Sequence, residues 1–294
     1  MSVLQAIIMG IVQGLTEFLP VSSSGHLAII KGLFGAETDG GILFDVLLHV
    51  ATLAAVFAVY YKDVIRILVE FGGICRDTSV NIVRFFKNIS AINRMEYLPI
   101  CTTPYRRLTL MLIISTIPTA IMGMLLSNVV DYVSGNLLIV GLCLIGTAGI
   151  LFISELIENG TKKQKEAHFG DALVVGISQG FAVLPGLSRS GTTITACLLC
   201  GFDRRFAVKY SFIMSMPAIL GALILELFKL PGSQGGTGAG AGASVAAMIL
   251  AAVIGYFALK LVNALAVNRR FKPFWIYCLI AGAVSIIVFL VKMG

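Results

Sequence analysis

Residues 13 to 26 read Gln13-Gly14-Leu15-Thr16-Glu17-Phe18-Leu19-Pro20-Val21-Ser22-Ser23-Ser24-Gly25-His26, a polar stretch broken by proline inside apolar sequence. A distorted copy occurs later in the chain: Gln179-Gly180-Phe181-Ala182-Val183-Leu184-Pro185-Gly186-Leu187-Ser188-Arg189-Ser190-Gly191-Thr192-Thr193. Gln13 to Gly25 and Gln179 to Gly191 span the same twelve positions, although the proline shifts by one. Ser22 and Ser24 fall on Ser188 and Ser190, with Ser23 opposite Arg189. A carboxylate, an imidazole, an arginine and many hydroxyls are costly in hydrocarbon, so together they mark a protected site.

Outside the two stretches the chain is built for lipid. It is 57% hydrophobic and 13% charged, about half the charge of a soluble domain. The apolar runs continue from end to end of the 294 residues, so one integral membrane domain is expected. Met1-Ser2-Val3-Leu4-Gln5 carries no basic n-region, and no cleaved signal peptide is expected. The net charge of +7 contains no long basic run, which argues for cytoplasmic loops and against nucleic acid. Cys197-Leu198-Leu199-Cys200 has the spacing of a redox or zinc pair, but its apolar setting favours packing.

Apolar runs of the about 20 residues needed to cross a bilayer begin near Ile42, Leu108, Leu137, Phe206, Ser244 and Phe274. The motif regions, roughly Val3 to Leu33 and Asp171 to Cys200, are each apolar, broken, then apolar again. Each half is too short to cross, which predicts two re-entrant helical hairpins. The segment from Lys62 to Arg107 carries Arg66, Arg76, Arg84, Lys87, Arg94 and Arg106 and reads as a cytoplasmic loop. Lys162, Lys163 and Lys165, Arg204 with Arg205, and Arg269 with Arg270 and Lys272 mark three more. Glu37, Asp39, Asp131 and the uncharged linker Gly232 to Gly242 suit the outside; Lys31 and Lys292 are mild exceptions. The expected fold is therefore all-α and polytopic, with six crossings and two hairpins entering from opposite sides. That is an inverted repeat of about 1–130 and 170–294, whose tips meet near mid-bilayer. Ser115-Thr116-Ile117-Pro118 and Ser215-Met216-Pro217 either extend the repeat or are tolerated membrane prolines.

The tips suggest anion chemistry. Gln13 and Glu17, four apart, share a helix face. Ser22, Ser23 and Ser24 lead into the helix bearing His26, and helix N-termini attract anions. Arg189 offers a planar fork for phosphate, flanked by Ser188, Ser190, Thr192 and Thr193. Alone, any one serine could simply satisfy a backbone carbonyl. His49 and His168 lie outside both motifs and read as structural and loop residues; Glu155 and Glu158 read as solvated.

Both tips resemble the signature motifs of the undecaprenyl-diphosphatase family, the bacitracin-resistance membrane phosphatases. Gln13 to Glu17 matches its acidic helix motif, continued through Phe18-Leu19-Pro20-Val21-Ser22-Ser23-Ser24-Gly25-His26. Pro185 to Thr193 matches its arginine-bearing motif. Gln13 departs from the glutamate many members carry, which weakens a two-carboxylate mechanism. The resemblance implies hydrolysis of undecaprenyl diphosphate to undecaprenyl phosphate at the outer face of the bacterial plasma membrane, for cell-wall lipid-carrier recycling and bacitracin resistance. It also implies a divalent cation, Mg²⁺ or Ca²⁺, held near Glu17. The expected catalytic residues are Glu17, Ser23, His26 and Arg189, with Gln13, Ser22, Ser24, Ser188, Ser190 and Thr193 binding substrate. Attack by Ser23 and attack by water activated by Glu17 or His26 both remain open, as does a homodimer. The rival class is a secondary transporter or flippase of the lipid phosphate, since half-helix tips also serve transporters.

Overall fold

The computed structural model describes residues 1–34, 41–89, 94–229, 240–268 and 270–293. Glu37, Asp39, Arg269 and residues 232–239 of the glycine-rich linker, all used above to orient the chain, lie outside them. The described residues form eleven α-helices: α1 (Val3–Phe18), α2 (Ser23–Phe34), α3 (Gly41–Ile89), α4 (Pro104–Leu125), α5 (Ser127–Ser134), α6 (Leu137–Leu156), α7 (Phe169–Phe181), α8 (Arg189–Leu199), α9 (Arg204–Lys229), α10 (Ala241–Val267) and α11 (Lys272–Met293). Six of them, α3, α4, α6, α9, α10 and α11, are long and apolar enough to span a membrane. They start within a few residues of the places expected from hydropathy.

The four helices of the motif regions have 16, 12, 13 and 11 residues, short of the roughly 20 a crossing needs. Local chemistry sets their ends. Ser2 and Gln5 form a reciprocal capping box that starts α1. Leu19 turns extended (φ −60°, ψ 136°) ahead of Pro20, because the proline ring disfavours helical backbone at the preceding residue. Ser188 caps α8 by accepting from the Gly191 amide at 3.1 Å.

Each short first helix packs on a long helix distant in sequence, α1 on α10 and α7 on α4. Both contacts need glycine. A Cβ on Gly14 would stand 2.8 Å from the Ala251 carbonyl oxygen, and one on Gly176 would stand 2.7 Å from Ser115 Cα. Gly176→Val is therefore expected to destabilise the protein by about 1–3 kcal/mol, read as a lower thermal midpoint in detergent. Gly123→Val is the control, because no atom lies within 4 Å of its added Cβ. Equal midpoints for the two variants would contradict this packing.

One expectation needs correction. The charged segment read as a loop from Lys62 is helical as far as Ile89. Nothing interrupts helix there, since the next proline is Pro99, and one face of the helix is tied down. Asp63 accepts from Tyr105 (2.6 Å) and Lys209. Glu70 accepts from Thr103 (2.9 Å), and both Glu70 and Asp77 pair with Arg106, at 3.0 and 2.7 Å. Asn88 then bonds both backbone groups of Met95.

Candidate active site

Two backbone irregularities bring the tips together. Ser22 holds a left-handed conformation (φ 70°), unusual for a residue with a side chain, and Gly186 holds φ 97°. Ser22 Oγ accepts from the Gly186 amide (3.1 Å) and from the Gly25 amide (3.3 Å). It thus caps α2 and stitches the first tip to the second. The strain at Ser22 is offset by these bonds and by its carbonyl, which accepts from the His26 amide at 3.2 Å. Thr147 on α6 braces the other side, donating to the Gly186 carbonyl (2.8 Å) and accepting from the Ser188 amide (2.9 Å).

Glu17 stands at the centre of the junction, its side chain 4% exposed. Arg189 Nη2 donates to Oε1 at 2.5 Å across 172 positions of sequence. Ser23 Oγ donates to Oε2 at 2.7 Å and Gln13 Nε2 donates to the same oxygen at 2.9 Å. His49 Nε2 lies 3.4 Å from Oε2. Phe18, the next residue, is fully buried and meets Phe212 of α9 edge to face at 5.6 Å, which anchors the end of α1. A buried carboxylate so surrounded by donors is stable as an anion. Two buried atoms here have no partner, Arg189 Nη1 and Gln13 Oε1. A spare guanidinium nitrogen beside a serine is suited to a phosphate oxygen.

Of the residues singled out from sequence, the structure joins Glu17, Ser23, Arg189 and Gln13 directly. Ser22 and Ser188 serve as helix caps and tip braces, while Ser24 and Ser190 touch them at 3.4 and 3.3 Å. Thr193 is fully buried, its hydroxyl bonded to Ser211 (2.6 Å) and to the Arg189 carbonyl (2.8 Å). His26 turns to another partner. Its Nδ1 must donate to the Ser22 carbonyl (2.7 Å), so Nε2 accepts from the Tyr277 hydroxyl (2.6 Å). The two rings stack at 5.5 Å and 8°.

Two members escaped the sequence reading. His49, taken there as structural, faces Glu17 with Nε2 while Nδ1 donates to the Asp45 carbonyl at 2.8 Å. Its one signal was an ionisable group within an apolar span. Tyr277 carried none, lying 251 positions from His26. His168, read as a loop residue, stands at the N-cap position of α7 with its amide donating to Asp171 (2.8 Å), and Cys197 is buried and free, as packing required.

The chain matches the family described as Bacitracin resistance protein BacA over residues 6–284. It is 37% identical over 288 residues to an undecaprenyl-diphosphatase of Methanosphaera stadtmanae, covering 98% of each chain. An undecaprenyl-diphosphatase of Methanobrevibacter smithii is 38% identical over 292 residues, 99% of this chain and 98% of that protein. One of Alkaliphilus metalliredigens is 41% identical over 227 residues, 77% of each. A match of this extent, carried by a chain whose two motif tips close on one buried carboxylate, makes it a member of the bacitracin resistance protein BacA family.

Proposed function

We propose that the chain is an undecaprenyl-diphosphatase that hydrolyses undecaprenyl diphosphate to undecaprenyl phosphate and inorganic phosphate, supporting lipid-carrier recycling and bacitracin resistance. The observation that carries the reading is one buried carboxylate receiving a serine hydroxyl from its own tip and a guanidinium from the other. That is a nucleophile–base pair at hydrogen-bonding distance beside an anion clamp.

In this mechanism the diphosphate takes Arg189 through its free Nη1 and draws it from Glu17. The released carboxylate then accepts the Ser23 proton as Ser23 Oγ attacks the terminal phosphorus. The bond from phosphorus to the bridging oxygen breaks and undecaprenyl phosphate leaves. Water then attacks the phosphoserine, losing its proton to His26 Nε2 as the Tyr277 hydroxyl gives up that nitrogen; the bond from phosphorus to Ser23 Oγ breaks, Ser23 takes back the proton held by Glu17, and inorganic phosphate departs. Such a transfer needs mainly positioning and charge stabilisation. Ser24 and Ser190 hold the remaining oxygens near the starts of α2 and α8, where helix dipoles favour negative charge. Thr193 supports α8 from within.

A hard divalent cation, Mg²⁺ or Ca²⁺, suits the oxygen donors available. Glu17 and the unpartnered Gln13 Oε1 would hold it, with substrate phosphates and water completing its shell, as is usual for Mg²⁺. Bound there, it would neutralise diphosphate charge.

The two halves, about 1–130 and 170–294 within a single domain, are read as an inverted repeat with α1–α2 and α7–α8 as re-entrant hairpins. The exchanged packing supports this, since α1 of the first half rests on α10 of the second, and α7 of the second half rests on α4 of the first. Gly10, Gly14, Ser22 and Gly25 also recur at the same offset as Gly176, Gly180, Ser188 and Gly191. In that scheme α4 corresponds to α10 and α9 to α3, so Pro118 and Pro217 are not counterparts. Orientation is read from charge. Arg107 bonds the Lys165 and Ala167 carbonyls and Lys162 bridges Phe202, so the basic loops gather at one end, read as cytoplasmic. The substrate site then opens to the outer face.

Tyr277→Phe tests the His26 assignment. It keeps the ring stack but removes one hydrogen bond, so kcat is expected to fall about 2- to 10-fold with KM unchanged. His26→Ala is expected to lose about 10²-fold or more, and the double variant no more than His26→Ala alone. A full Tyr277 effect in the His26→Ala background would detach the tyrosine from the histidine. The function itself is tested by phosphate release from undecaprenyl diphosphate with purified protein in detergent. No release, together with uptake of the lipid phosphate by reconstituted vesicles, would assign the chain to transport instead.

A further inference from the structure

The helix α3 is longer than a membrane crossing requires. Its 49 residues extend about 73 Å at 1.5 Å each, against a hydrocarbon core of about 30 Å. Helical geometry lapses at Tyr60 (φ −112°, ψ 22°), after roughly the 20 residues that a crossing uses. Beyond that lapse, residues 61–89 differ in character from the apolar first part.

At 100° per residue, Leu68, Phe71, Ile82, Val83, Phe86 and Ile89 fall within an arc of about 120°. All six are exposed, from 46% to 67%, and no charged residue of the segment enters the arc. Lys62, Arg76 and Lys87 run along one edge of it and are exposed, Arg76 also reaching back to Asp77 at 2.9 Å. The acids face elsewhere: Asp63, Glu70 and Asp77 are all engaged by Lys209, Arg106 and their neighbours on the packed face. An exposed apolar stripe of this size marks an interaction surface.

We propose that residues 61–89 form an interfacial helix that lies on the bilayer and binds an anionic lipid surface. The six apolar side chains enter the boundary between headgroups and acyl chains, and Lys62, Arg76 and Lys87 meet lipid phosphates. The pattern is that of helices which rest in the interface, and each basic residue near an anionic surface adds attraction. A second copy of the chain is the poorer occupant, because the acids of this segment are paired inward and its basic edge would meet another like it. The bilayer is also contiguous, since the first part of the same helix crosses it. This inference does not depend on the catalytic reading.

The test places a single tryptophan at Phe86→Trp in a Trp275→Phe background, in full-length protein reconstituted into vesicles. With anionic phosphatidylglycerol present, emission is expected to shift to shorter wavelength and to be quenched about twofold or more by lipids brominated in the acyl chain. Lys62→Glu with Lys87→Glu is expected to abolish the difference between phosphatidylglycerol and pure phosphatidylcholine vesicles. Phe71→Trp is the second reporter should Phe86→Trp not fold. Quenching by aqueous acrylamide instead of brominated lipid would overturn the proposal. So would efficient cross-linking between two chains through Phe86→Cys, which would make this face a contact between copies.

Discussion

Replacing Arg189 with alanine is expected to lower kcat for phosphate release by about 10²- to 10³-fold, the scale seen when one preorganised oxyanion donor is lost. In the proposed mechanism the guanidinium does two jobs in sequence. Before substrate arrives it neutralises the buried Glu17 carboxylate at 2.5 Å; afterwards its fork holds the transferring phosphate. The variant therefore loses the clamp and leaves a buried carboxylate one charge short. Breaking a buried pair in this way costs about 3–5 kcal/mol in stability, so folding must be checked by thermal midpoint beside activity. Arg189→Lys separates the two effects. Lysine restores charge for Glu17 but not the planar fork, so the midpoint should recover more than the rate. Recovery of both to near wild type would reduce Arg189 to a structural counter-ion.

Glu17→Gln should be at least as damaging, about 10²- to 10⁴-fold in kcat, because an amide cannot take the Ser23 proton. The change is nearly isosteric. The amide oxygen can keep the bond from Arg189, while the Ser23 hydroxyl, which donates to the other oxygen, can accept from the amide nitrogen instead, so a loss of activity with an intact fold isolates the proton-accepting role. Residues that act as one unit do not lose rate additively. Ser23→Ala combined with Glu17→Gln should be hardly slower than either alone. Multiplying losses would mean that Glu17 activates something other than Ser23. His49, 3.4 Å from the same carboxylate, bears on the same point. His49→Gln should slow turnover less than Glu17→Gln, since Arg189, Ser23 and Gln13 still donate to the carboxylate.

Much of this organisation could be read before any coordinates. Two matching stretches with a proline break announced the tips, and six apolar runs placed the long helices to within a few residues, because lipid demands internal hydrogen bonding over a fixed length. Glu17 and Arg189 stood out for the same reason, as ionisable groups in lipid-depth sequence, and Ser23 by its place in the motif; the structure brings the three side chains together. What escaped notice depends on tertiary placement. His49 lies in an unremarkable apolar helix, and only the packing of α1 against α3 brings it to Glu17. Tyr277 belongs to the last helix, and nothing local marks it as a partner of His26. Ser22 and Ser188 looked like phosphate ligands by residue type, yet their hydroxyls mainly cap α2 and α8, a choice set by backbone geometry. The length of α3 was missed because charge was taken as a sign of loop, whereas its acids and Asn88 are matched to partners on one face of a continuing helix.

The mechanism rests on two tips forming one phosphoryl-transfer site with Ser23 as the attacking group. Its most direct test tracks label from the terminal phosphate of undecaprenyl diphosphate, using purified wild-type and Ser23→Ala proteins of equal thermal midpoint. The wild type should release labelled phosphate and, on rapid acid quench, carry label on Ser23, while Ser23→Ala does neither. Steady release by Ser23→Ala, with no label retained on the wild-type chain, would contradict it.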